Sequence, residues 1–177
     1  MQTMNLLLAL AAFALVTASP LDQRTVAQVE TDLTNVGSQA TTFDNNINAL
    51  PNSGGNLVQA LAIHSSAQSL VISLNTATKD VLTTTDISEV DGQAIIDILV
   101  DIQPIFLDAL TAIVSKKNAL DAISAGSVSA LLKQDLGQLC PAARSLQSAL
   151  INAMPDDLKT KVQSLGIRLV LSVVKHN

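Results

Sequence analysis

The chain has 177 residues, 48% of them hydrophobic but only 2% aromatic, with a formal net charge of -5 and a single cysteine. That length buries a sizeable core without covalent staples, and one cysteine excludes the small disulfide-built surface proteins as relatives. The absence of Trp and Tyr removes the stacking platforms of a carbohydrate-binding face, while the scattered bases lack the concentrated positive face that nucleic acid requires.

Leu6 to Val16 form an apolar run too short to span a bilayer, and Val16-Thr17-Ala18 then offers small or modest residues where a signal peptidase reads. This predicts a secretory signal over residues 1–18, cut after Ala18, and a single domain over 19–177. An uncleaved anchor is the alternative. In the oxidising compartment beyond, Cys140 is either a buried thiol or an intermolecular link, and its neighbours Leu139 and Pro141 favour burial.

From Leu21-Asp22 to Leu50, apolar residues recur three and four apart at Val26, Val29, Leu33, Val36, Ala40, Phe43, Ile47 and Leu50. Such spacing lines one face of a helix. Pro51-Asn52-Ser53-Gly54-Gly55 makes the turn. A second helix keeps the rhythm through Ala60, Ile63, Ala67, Leu70, Leu74, Ala77 and Val81, and Thr83-Thr84-Thr85-Asp86 breaks it. Ser88 with Asp91 three residues on resembles a capping box and opens a third helix.

The third helix carries two stripes, Ile95, Ile98, Ile102, Ile105, Ala109, Ala112 and Ile96, Leu99, Phe106, Leu110, Ile113, so it is expected at the centre and to continue to Ile123. Pro104 inside it removes the backbone bond to Val100 and predicts a kink. Ser124-Ala125-Gly126 ends it. A fourth helix runs from Ser127 to Met154 across Pro141, and a fifth starts at Pro155-Asp156-Asp157, with proline and acids where a helix N-terminus prefers them. The fold class is all-α, an antiparallel bundle of about five amphipathic helices kinked at Pro104 and Pro141. The last apolar run, Leu165 to Val174, contains Arg168 and is followed by Lys175-His176-Asn177, unlike a membrane span or a lipid-anchor signal.

Charge is unevenly distributed: residues 22–101 hold ten acids against Arg24 and Lys79 (−8), and residues 102–177 five acids against eight bases (+3). Polar chemistry is sparse. His64 and His176 are the only histidines, with no zinc-ligand or triad spacing around them, and His64 reads as a hydrogen-bonded border residue. Asp97, Asp101 and Asp108 read as a solvated helix edge rather than a calcium or acid–base site. No enzyme, metal or cofactor is expected.

The first-helix pattern Val26-x-x-Val29-x-x-x-Leu33, the Asp86-Ile87-Ser88 helix entry, Leu99-Val100-Asp101-Ile102-Gln103-Pro104 with Leu107 and Leu110 beyond, and Lys116-Lys117 before Leu120-Asp121 resemble the fungal hydrophobic surface-binding protein A family, which includes cell-wall galactomannoproteins. The resemblance spans roughly residues 21–165. It implies a secreted helical domain that binds hydrophobic surfaces or long-chain lipids. There is no Ser/Thr/Pro-rich stalk and no Asn-x-Ser/Thr sequon, so release or non-covalent wall association is expected, with any mannose O-linked at clusters such as Thr41-Thr42.

Small residues at positions 40, 60, 67, 77, 109 and 112 either let helices close up or leave a lumen for an acyl chain. In the lumen reading the partner is a long-chain fatty acid or other lipid, Ile102, Ile105, Phe106 and Leu110 line it, and Lys116 or Lys117 meets the headgroup. In the alternative the helices spread on a hydrophobic surface and present a polar face to partners such as secreted esterases.

Overall fold

The computed structural model describes residues 25–123 and 127–174. Their regular elements are six helices: α1 (Val26–Asn48), α2 (Leu57–Thr83), α3 (Glu89–Ser115), α4 (Lys117–Ala122), α5 (Ser127–Ala153) and α6 (Asp156–Val174). The expected signal at 1–18, the Ser124-Ala125-Gly126 turn and Lys175-His176-Asn177 lie outside the described residues.

The entries of α1, α2 and α3 are each set by a short polar side chain. Thr25 Oγ1 accepts from the Gln28 amide at 3.2 Å, and Ser88 Oγ accepts from the Asp91 amide at 3.2 Å while donating to the Asp91 carboxylate at 2.7 Å. The reciprocal capping box falls at α2, where Asn56 Oδ1 accepts from the Gln59 amide and Gln59 Oε1 accepts from the Asn56 amide. These contacts satisfy amides that the first helical turn leaves without intrahelical partners. Between α1 and α2, Gly54 takes φ +74°, a conformation that costs glycine nothing and most residues about 1 kcal/mol.

The three-four stripes are the buried faces. Val29, Leu33, Val36, Ala40, Phe43, Ile47 and Leu50 are all at most 3% exposed, and so are Ala60, Ile63, Ala67, Leu70, Leu74, Ala77 and Val81. α1 packs on α2 and α3, α2 on α5, and α6 on α3 and α5. The result is a ring of helices in which α3 and α5 face each other with little or no close backbone approach.

This arrangement corrects the expected place of α3. In its most apolar 18-residue stretch only 22% of the residues are buried, against 44% in the corresponding stretch of α2. Ile95, Ile102, Ala109 and Ala112 of the first stripe are buried, but part of the second, including Leu99, Phe106 and Leu110, is only half-buried. α3 is a wall of the bundle and not its central post.

The second departure is at Lys116. The sequence suggests one helix to Ile123, but α3 ends at Lys116 (φ −98°, ψ 8°) and α4 restarts at Lys117. Lys116 is buried, and its Nζ donates to the Asn48 carbonyl at 3.1 Å and to the Leu50 carbonyl. A cation thereby meets carbonyls at and just beyond the end of α1, where the helix dipole is negative. Pro104 and Pro141, by contrast, stand on exposed faces, and both helices run through them. At an exposed position the carbonyl that proline leaves unbonded is within reach of water, which softens the penalty.

Candidate functional site

The seam between α3 and α5 contains a cavity of about 120 Å³. Leu33 and Val36 from α1 and Leu74 from α2 form its floor, Leu99, Ile102 and Phe106 one wall, and Leu146 and Leu150 of α5 the other. α6 covers it with Val162, Leu165 and Gly166. The lining is aliphatic almost throughout, and Arg144 is its only charged member among the described residues. Arg144 is exposed, and a long basic side chain at such a border lays its methylene stem on apolar surface while its charged head reaches water.

Gln147 marks the same α5–α6 edge. Its carboxamide rests against Gly166, where an added methyl group would collide with it. Gly166 is therefore a notch that lets a polar side chain lie flat against α6 beside the opening. On the opposite side, Gln103 Nε2 donates to the Leu165 carbonyl at 2.8 Å. The Gln103-Pro104 pair thus acquires a local role: the glutamine ties the covering helix to α3 at a residue that also lines the cavity.

A smaller cavity of about 40 Å³ continues along the seam, bounded by Phe43, Leu70, Ala109, Leu110, Leu136 and Leu139. Phe106, Cys140 and Ala143 border both spaces. Of the residues singled out from the sequence, Ile102 and Phe106 line the larger cavity and Phe106 and Leu110 the smaller. Ile105 packs at the margin of the core and lines neither. Lys116 is held at the end of α1, and Lys117 is exposed and paired with Asp121 at 2.6 Å; neither lines either of these two cavities. Cys140 is half-buried, in the cavity wall. Ala109 lines the smaller cavity, whereas Ala40, Ala67, Ala77 and Ala112 are buried outside both walls and serve close packing.

Arg144, Gln147 and Gly166 escaped the sequence reading because an isolated arginine on an amphipathic helix carries no signal until a second helix is laid beside it. Asp135 escaped in the same way. It is 1% exposed and accepts from His64 Nδ1 at 2.9 Å and from Gln68 Nε2 at 2.9 Å. His64 is the hydrogen-bonded border residue expected. The pocket beside this pair holds only about 10 Å³, and its other lining residues are aliphatic. Among the described residues no group of three or more His, Cys, Asp or Glu is placed to hold a metal ion.

The family model for hydrophobic surface binding protein A matches residues 26–152, from the start of α1 to the last turn of α5. The chain belongs to that family. None of the curated proteins matches it significantly. Among solved structures it is similar to AFMP4P in complex with palmitic acid, at 24% identity and TM-score 0.75, over 86% of this chain and 99% of that one. It is also similar to ligand binding domain 1 of the Penicillium marneffei MP1 protein complexed with arachidonic acids, at 18% identity and TM-score 0.74, over 85% and 93% of the two chains. Ligand binding domain 2 of that protein, complexed with multiple arachidonic acids, aligns at 16% identity and TM-score 0.75, over 88% and 95%. At such identities these likenesses establish a shared fold, and the all-α bundle read from the sequence is that fold.

Proposed function

We propose that this member of the family is a non-enzymatic binder of long-chain fatty acids, which enter the α3–α5 seam with the acyl chain inside and the carboxylate at the α5–α6 edge. The observation that carries the reading is an aliphatic cavity of about 120 Å³ with, among the described residues, a single charged one at its border. Each methylene removed from water contributes roughly 0.8 kcal/mol. Arg144 offers a planar set of donors suited to a carboxylate, the role that the sequence suggested for Lys116 or Lys117. Ile102, Leu99 and Phe106 face the chain. The ligands named for the structures of shared fold, palmitic and arachidonic acids, support this choice of ligand class.

Secretion under the direction of residues 1–18, with the domain at 19–177 in the medium or non-covalently on the wall, belongs to the same proposal and rests on the signal-like sequence. Extraction of protein purified from the producing cells, followed by lipid mass spectrometry, tests the binding. A stoichiometric fatty acid is expected; lipid-free protein that also fails to take up added fatty acid would refute it.

Adsorption to hydrophobic surfaces is the second reading. Leu57, Val58 and Leu61 are 51%, 76% and 49% exposed on the first turns of α2, an apolar cluster that requires no opening of the bundle to meet a surface. Recruitment of secreted esterases would follow only from that adsorbed state. Coating of hydrophobic beads by Leu57→Ser/Val58→Ser/Leu61→Ser, compared with the parent, measures the contribution of this cluster.

A further inference from the structure

Two spaces lie along the seam, and the one large side chain that borders both is Phe106. Among the described residues, Phe106 of α3 and Cys140 and Ala143 of α5 are the three that border both the larger and the smaller cavity. The shared border is asymmetric: α3 contributes one large ring and α5 two small side chains. Phe106 is also only half-buried, with unfilled space on two sides. A side chain in a filled core is fixed by its neighbours, whereas one between two voids has room to move to another rotamer.

We infer that Phe106 sets the length of acyl chain this protein prefers, by closing the larger cavity against the smaller one. The inference rests on fatty-acid binding in the seam and adds a determinant of specificity to it. A chain short enough for the larger cavity leaves the ring in place. A longer chain must swing the ring aside before its terminal methylenes reach the space beside Phe43, Leu70, Ala109 and Leu136. Affinity then rises with chain length only until the larger cavity is full. Beyond that point the cost of moving the ring offsets the gain, which otherwise amounts to about a fourfold increase in affinity per buried methylene. Removing the ring joins the two spaces, and enlarging it extends the block.

The test is a titration of delipidated protein with saturated fatty acids from about twelve to about twenty-two carbons, in the parent, Phe106→Ala and Phe106→Trp, with helix content and thermal melting recorded for each. Cys140 is the only cysteine of the chain, so its rate of alkylation by iodoacetamide reports occupancy of the seam at the partition itself. For Phe106→Ala the expected result is a preference displaced toward longer chains, with the affinity ratio of long to short ligands raised on the order of tenfold, and long ligands slowing Cys140 alkylation more than in the parent. Phe106→Trp should displace the preference the other way, which keeps the idea testable if the alanine variant fails to fold. Chain-length profiles that stay superimposable in the folded variants, with ligand still protecting Cys140, would overturn the partition and leave fatty-acid binding standing. Absence of binding and of Cys140 protection in the parent across the whole series would overturn both.

Discussion

The imidazole Nδ1 of His64 lies 2.9 Å from Oδ1 of Asp135, joining the second helix to the fifth across 71 residues of sequence. Gln68, one turn after His64, donates to the same oxygen at 2.9 Å, so a carboxylate that is 1% exposed has its partners on one neighbouring helix. Removing the histidine leaves the acid buried with one fewer donor. His64→Ala is expected to lower unfolding stability by about 1–2 kcal/mol and Asp135→Leu by less, because the leucine removes the buried charge along with its bonds. Chemical denaturation of the two variants checks the order.

Lys116 and Lys117 are adjacent yet should respond very differently to mutation. Lys116→Met removes the donor to the Asn48 and Leu50 carbonyls and should cost about 1–3 kcal/mol. Lys117→Ala removes only an exposed pair with Asp121 and should change stability by less than about 0.5 kcal/mol. If the carboxylate is received by Arg144, neither folded lysine variant changes fatty-acid affinity, whereas Arg144→Ala weakens it several-fold. Calorimetric titration of the three variants measures this directly.

Asp44, near the end of α1, has its carboxyl raised from the ordinary 3.8 by partial burial and then by the Asp108 charge, against a smaller opposing effect from the Asn48 hydrogen bond. The folded protein therefore holds this proton more tightly than the unfolded chain does. Stability associated with Asp44 is retained below the ordinary carboxylate range and lost as pH rises through the raised value. At neutral pH, Asp44→Asn is expected to increase Tm slightly, by less than about 2 °C. The difference should vanish in acid and shrink in high salt, which screens Asp108. Thermal melts at two pH values and two ionic strengths test the sign.

Two glycines should respond in opposite directions. Gly54 has φ +74°, so Gly54→Ala should cost about 1 kcal/mol. Gly137 lies in the middle of α5, exposed, with no atom close to where a Cβ would stand. Gly137→Ala is expected to stabilise by about 0.5–1 kcal/mol through helix propensity alone. Equilibrium unfolding of both variants in urea decides each sign.

The bundle was legible in the sequence because helix periodicity is a local property: the stripes of the first two helices are buried residue for residue, apart from half-buried Val26. Ile102 and Phe106 were legible for a related reason, since a helix with two apolar stripes needs something on both sides. What the pattern could not distinguish was a second protein surface from an unfilled space, and so α3 was expected at the centre. The break at Lys116 depends on carbonyls of Asn48 and Leu50 more than sixty residues earlier, which no local pattern encodes. Gln147 and Arg144 were hidden for the same reason, because Gln147 lies against Gly166 on another helix and Arg144 borders a cavity that several helices enclose.

The most direct measurement is a titration of delipidated protein with palmitate at several temperatures, followed by melting of the saturated complex. Binding inside a preformed aliphatic cavity predicts a saturable heat, a negative heat-capacity change with little change in helix content, and, at a hundredfold excess over Kd, about 2.7 kcal/mol of added stability, or roughly 5–10 °C in Tm. No heat and no protection against unfolding, in protein that still coats a hydrophobic bead, would contradict the account and leave surface adsorption in its place.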